Sequence, residues 1–299
     1  MNCAIRTQNL SKKFHSVDAL NGLNLEVPEG SIYALVGPNG AGKTTAIKTL
    51  MNIFRPTVGK AEVLGVESSR LSPGEFARIG YVSENQEIPE WMTVEYFLAY
   101  LKPFYPNWEN ALAEELVKRF ELPLERKLGK LSRGMRVKAA LASSLAYSPQ
   151  LIVLDEPFTG LDALVRDQLI EGLLERAASA TVLISSHDLA EIETFASHVG
   201  YLDQGVLRFS EELNSLVQRF REVEVTFGAP PVLPEDWPPT WMRPDTSAAV
   251  LRFVDSHFDR EQTSLEIRRR FAGIRNVSFN PMSLRAIFVT LAKSAGRAA

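Results

Sequence analysis

Residues 37–44 read Gly-Pro-Asn-Gly-Ala-Gly-Lys-Thr and satisfy the pattern G-x-x-x-x-G-K-[ST] of a phosphate-binding loop. Such a loop needs a buried strand before it and a helix after it, and both are written in the flanking residues. Ser31-Ile-Tyr-Ala-Leu-Val36 is apolar and partly β-branched, as a buried strand is, whereas Thr45-Ala-Ile-Lys-Thr-Leu-Met51 has helical character. In that setting the run Gly37, Pro38, Asn39, Gly40, Ala41, Gly42 lets backbone N–H groups turn toward phosphates. The helix start at Lys43, Thr44 and Thr45 adds the positive end of its dipole. Lys43 is then placed to reach the β and γ phosphates and Thr44 to offer its hydroxyl to Mg²⁺, so the chain is expected to bind a nucleoside triphosphate.

Phosphate loops serve kinases, switches and motors alike, and the downstream residues choose among them. Leu151-Ile-Val-Leu-Asp-Glu156 is an apolar strand that ends in two carboxylates. Asp155 is placed to hold Mg²⁺, usually through water, and Glu156 to polarise the water that attacks the γ phosphate.

Three further motifs follow the loop in a telling order: Leu131-Ser-Arg-Gly-Met135 before that strand, then Gly160-Leu161-Asp162 and Ser185-Ser186-His187 after it. Taken together, the five motifs closely resemble those of the nucleotide-binding subunit of ABC transporters over roughly residues 1–215. The resemblance implies an α/β P-loop NTPase fold with a helical subdomain over about 86–146, ATP and Mg²⁺ as cofactors, and hydrolysis of ATP in a composite site. That site would form between the phosphate loop of one chain and Ser132, Arg133, Gly134 and Met135 of a second copy or a paralogous ATPase, with Asp162 nearby. Arg133 and Met135 depart from the usual Leu-Ser-Gly-Gly-Gln signature, in the manner of bacterial ABC-2 type exporter ATPases. By the same resemblance His187 contacts the γ phosphate and the attacking water, and Phe14 stacks on adenine. Glu84 takes the position of a glutamine that couples the γ phosphate to the helical subdomain, as a further Mg²⁺ ligand, with Gln86 as the reserve.

The rest of the chain fits a two-part molecule. A formal net charge of −3 and 45% hydrophobic residues suit an ordinary globular protein, and the single Cys3 excludes an internal disulfide. With no secretory leader and no run of 18 or more uninterrupted apolar residues, the chain is expected in the cytoplasm, peripheral on the inner face of the cell membrane, with a polytopic permease as partner. Residues 216–299 read as a small α+β appendage. Strands are expected around 223–227, 250–254 and 276–279, with a proline-rich loop carrying Pro230 through Pro244 and a helix over 264–271. Arg268, Arg269 and Arg270 read as a solvated face, so no nucleic-acid partner is expected. Trp91, Tyr96, Phe97, Tyr100, Phe104, Tyr105 and Trp108 are either subdomain core or a docking surface for the permease. Phe104, Tyr105 and Trp108 lie where Pro103 and Pro106 predict a loop that something must cover. Two other functions compete with the exporter reading: a soluble ABC ATPase acting on DNA or ribosomes, and an ATP-sensing module with little turnover.

Overall fold

The aliphatic runs that flank the phosphate loop and end in Asp155-Glu156 become the middle of a parallel sheet. In the computed structural model, which describes residues 2–84, 86–177 and 179–295, the chain divides between Ser210 and Glu211 into two compact units. The first unit opens with β1 (Cys3–Phe14), β2 (Val17–Leu23), β3 (Glu26–Pro28) and β4 (Ile32–Val36), which leads into the loop and α1 (Lys43–Leu50). It continues through β5 (Val58–Val63), β6 (Val66–Glu67), the short α2 (Pro73–Phe76) and β7 (Ile79–Ser83) to α3 (Val94–Leu101), α4 (Asn110–Arg119) and α5 (Arg133–Leu145). Next come β8 (Leu151–Asp155), α6 (Ala163–Ala177), β9 (Thr181–Ser186), α7 (Leu189–Ile192), β10 (His198–Asp203) and β11 (Val206–Glu212).

Among the described residues an antiparallel sheet runs β2-β1-β5-β6, with β3 also paired to β1, and a second sheet runs β11-β10-β4-β9-β8-β7. From β10 to β7 the second sheet is parallel. Every residue of β8 and β9 is buried, as expected for strands covered on both faces. Ile5 and Leu23 of the first sheet, with Leu25 between β2 and β3, share one core cluster with Leu35, Val153 and Leu183 of the second and with Ile47 and Leu50 of α1. This is the α/β architecture of a P-loop NTPase.

The segment following α5 is bolted to β7. Tyr147 donates its hydroxyl to the Ile79 carbonyl at 2.9 Å, and a methyl group at Gly80 would lie 2.9 Å from the Ser144 carbonyl, so the close approach needs glycine there. The aromatic residues of this region split in two. Trp91, Tyr96, Tyr100 and Phe104 are exposed, and Phe97 is buried. Of the two readings for Phe104, Tyr105 and Trp108, core or docking surface, Tyr105 takes the first, stacking on the buried Tyr147 with ring centres 3.9 Å apart. Its cover is the protein's own core. Tyr105→Ala is therefore expected to lower stability by about 2 kcal/mol, read as a shift in the urea midpoint, since it removes half of a stacked pair beneath a half-buried turn.

The second unit comprises α8 (Leu213–Arg219), β12 (Arg221–Phe227), β13 (Trp241–Ser247), β14 (Val250–Asp255), α9 (Arg260–Arg270), β15 (Ile274–Pro281) and α10 (Leu284–Ala295). Its antiparallel sheet, in the order β13-β14-β12-β15, buries Val223, Val225, Leu251 and Phe253 against Ile267 and Phe271. The end of the expected proline-rich loop is a strand instead. β13 runs through Pro244 because it lies at the sheet edge and its register shifts between Met242 and Asp245, which is where a residue without an N–H is tolerated. Arg270 pairs with Asp236 at 2.7 Å and with Glu266 at 2.9 Å, so this part of the arginine run is engaged with acids.

Candidate active site

Strand register brings the chemistry together. Across the parallel sheet Val36 lies opposite Ser186, Ser185 opposite Asp155, and Asp155 opposite Ser83. The four strands therefore end level, and the residues that step off them are Gly37, His187, Glu156 and Glu84. Crevices beyond the carboxyl ends of parallel strands are where α/β proteins bind ligands. Here a cavity of about 650 Å³ is lined by Lys43, Thr44, Glu84, Glu156, Thr159 and His187.

The loop that enters this crevice is shaped by close contacts. Gly42 has φ 107°, and a side chain on it would lie 2.5 Å from the Ala19 carbonyl. A methyl group at Gly37 would lie 2.1 Å from the Leu202 carbonyl. Both positions require glycine, one for its backbone angle and both for space. The buried Lys43 donates to the Gly37 carbonyl at 2.7 Å and the Pro38 carbonyl at 3.3 Å, and its ammonium stands 3.0 Å from Glu156 Oε1.

Glu156 is held from both sides. Its Oε2 lies 2.8 Å from His187 Nδ1 and accepts from the Thr159 hydroxyl at 3.2 Å. Burial pushes its pKa up, but the hydrogen bonds and charges of His187 and Lys43 outweigh burial and hold the carboxyl below its usual range. It is thus an ionised acceptor. Its backbone has φ 51°, a left-handed angle that is strained for a residue with a side chain, and its N–H donates to Ser185 Oγ at 2.9 Å. Asp155 behaves oppositely. Burial raises its pKa, opposed by the hydroxyls of Ser185 at 2.7 Å and Thr44 at 3.1 Å, both on Oδ1.

Other residues singled out in the sequence lie outside this cavity, those of the expected composite site among them. Phe14 does not line the cavity: its ring meets Phe54 edge-on at 5.2 Å, with the Lys12 ammonium 4.8 Å from its centre, while Val17, Asp18 and Ala19 line the cavity instead. Ser132 caps α5, accepting from Met135 N at 3.3 Å, and Asp162 accepts from Val165 N at 2.9 Å near the start of α6. Arg133, expected to meet the nucleotide of a second copy, reaches Glu84 within its own chain at 2.6 Å. Glu84 lines the large cavity, whereas Gln86 lines a smaller one of about 250 Å³. Asn85 between them lies outside the described residues. Val17 to Ala19 were missed by sequence reasoning, and only their pairing through β1 carries a signal for them.

A family model described as "ABC transporter" matches residues 20–159. The daunorubicin/doxorubicin resistance ATP-binding protein DrrA of Streptomyces peucetius is 30% identical over 96% of this chain and 92% of its own length. The bacitracin transport ATP-binding protein BcrA of Bacillus licheniformis is 33% identical over 74% of each chain. Among solved structures, the dimeric cassette MJ0796 in a post-hydrolysis state bound to ADP and Pi superposes with a TM-score of 0.61 at 26% identity, covering 70% of this chain and 98% of that one.

Proposed function

This chain belongs to the ABC transporter family, and from that premise we propose that two such ATPase subunits, head to tail, drive an exporter from the cytoplasmic face of the membrane. The chain is an ATP-binding, ATP-hydrolysing transporter subunit; the pairing, the exporter and the membrane face are the proposal. The observation that carries the reading is Glu156, ionised and fixed at a strand end between Lys43 and His187. Holding a nucleotide does not require such a carboxylate, but activating a water against its γ phosphate does.

In this reading Lys43 passes from Glu156 to the phosphates, and Glu156 is released to orient the attacking water while His187 steadies both. Thr44 and Asp155 suit Mg²⁺: they are hard oxygen donors already in contact, and Asp155 is a buried carboxylate whose charge a cation would stabilise. Among the described residues no group of three or more His, Cys, Asp or Glu side chains could hold a metal, which fits a cation bound mainly by substrate phosphates and water. Mg²⁺ would supply charge neutralisation to the β and γ oxygens. Ser132 and Gly134 of the second copy would close the site from the other side, so that ATP joins the subunits and hydrolysis parts them.

Among the described residues no helix is long and apolar enough to cross a membrane. The permease is therefore proposed as a separate polypeptide, and the exposed Trp91, Tyr96, Tyr100 and Phe104 support a place for it to dock. Trp91 lies 5.8 Å from Tyr96, and Tyr100 lies 5.6 Å from Phe104, an apolar face of the kind partners cover. Gentle solubilisation of membranes holding a tagged chain should recover a polytopic membrane protein. Trp91→Ala with Phe104→Ala should reduce that recovery while changing stability by no more than about 1 kcal/mol. Recovery with ribosomes or DNA and no membrane protein would overturn the assignment.

A further inference from the structure

Two of the residues that depart from the family's usual pattern, Glu84 and Arg133 at separate motifs, touch each other. The Arg133 guanidinium donates to Glu84 Oε1 at 2.6 Å, across 49 residues of sequence. The Gly160 turn after β8 passes close by: a methyl group built there would lie 3.4–3.7 Å from the guanidinium. Glu84 lines both the large cavity beside Lys43 and Glu156 and the smaller one beside Arg133 and Arg136. It stands at the wall between them, and its backbone is tied to the catalytic strand by an N–H donated to the Asp155 carbonyl at 2.9 Å.

That position poses an electrostatic problem. A cavity that receives a triphosphate is already lined by Asp18 and Glu156, with Asp155 at the adjoining strand end, and a further carboxylate at Glu84 would repel the ligand. We propose that Arg133 is a positioning residue for Glu84 within one subunit: it offsets the Glu84 charge at the cavity wall and fixes the carboxylate, so that the two side chains work as one unit in binding Mg²⁺-ATP. The inference rests on the ATPase reading above. It also differs from a role for Arg133 as a direct phosphate contact of the opposite subunit, because in that role its effect would not depend on Glu84.

The dependence is measurable with the full chain and a non-hydrolysable β,γ-imido ATP with Mg²⁺, by calorimetry at a protein concentration that keeps it monomeric. Arg133→Ala is expected to raise Kd about five-fold at low salt, the upper range for a half-exposed ion pair, and less at high salt, where the repulsion is screened. In a chain that also carries Glu84→Gln, the same Arg133→Ala change should leave Kd as it is in Glu84→Gln alone. Arg133→Lys, which keeps the charge, should bind within two-fold of the unmodified chain, and it serves if truncation to Ala harms folding. A merely structural Arg133 would lower the thermal midpoint equally in both backgrounds and show no such coupling. Equal losses on removing Arg133 with and without the Glu84 carboxylate, or no loss at all, would overturn the inference alone. Failure of the unmodified chain to bind the analogue would overturn the ATPase reading and the inference with it.

Discussion

Glu156→Gln is expected to reduce ATP turnover at least about 100-fold while leaving ATP affinity within a few-fold of the unmodified chain. The amide keeps the shape of the side chain and one acceptor oxygen beside Lys43 and His187. What it loses is the charge that the neighbouring cation and imidazole hold below the usual carboxylate range. With ATP trapped and one negative charge fewer facing the γ phosphate, the paired form should accumulate. Size exclusion with ATP and Mg²⁺, beside a phosphate-release assay, reads both effects. Turnover at the unmodified rate would remove Glu156 from the role of activating base.

Lys43→Ala should fail at the earlier step. Its ammonium is buried and held by two loop carbonyls and Glu156, so it is already aimed at the position that phosphates take. Losing charge-assisted bonds to the β and γ oxygens is expected to weaken ATP binding by about 2 kcal/mol, some 30-fold. The same change strands the Glu156 charge, and the double variant Lys43→Ala with Glu156→Gln separates the two causes. If binding stays weak in the double variant, the contribution belongs to the phosphate contact. If binding recovers, Lys43 acts mainly by cancelling Glu156.

Much of this site is legible in the sequence because its chemistry is carried by contiguous runs. Gly37–Thr44 must be loop and helix start for steric reasons, and the apolar strands before Glu156 and His187 announce their own ends. Level strand ends then follow from parallel pairing, and with them the meeting of Lys43, Glu156 and His187. What is not legible depends on partners distant in sequence. Phe14 is an aromatic beside a turn, and its edge-on contact with Phe54, forty residues on, has no mark in the sequence. Tyr105 sits between prolines as a loop residue does, yet the ring that covers it belongs to Tyr147. β13 is hidden because Pro244 argues against a strand until its place at the sheet edge is known. Arg133 and Glu84 look like two separate departures until their side chains are seen to meet.

The left-handed backbone at Glu156 also has an energetic side. An L-residue with a side chain at that angle is disfavoured by roughly 1 kcal/mol, whereas glycine adopts it freely. Glycine here would relieve the angle but would leave the buried Lys43 ammonium without its carboxylate partner, so the strain and the ion pair come together. The turn at residue 156 is thus a pivot: the bend that costs backbone energy stands beside the contacts to Lys43 and His187 that hold the carboxylate in place.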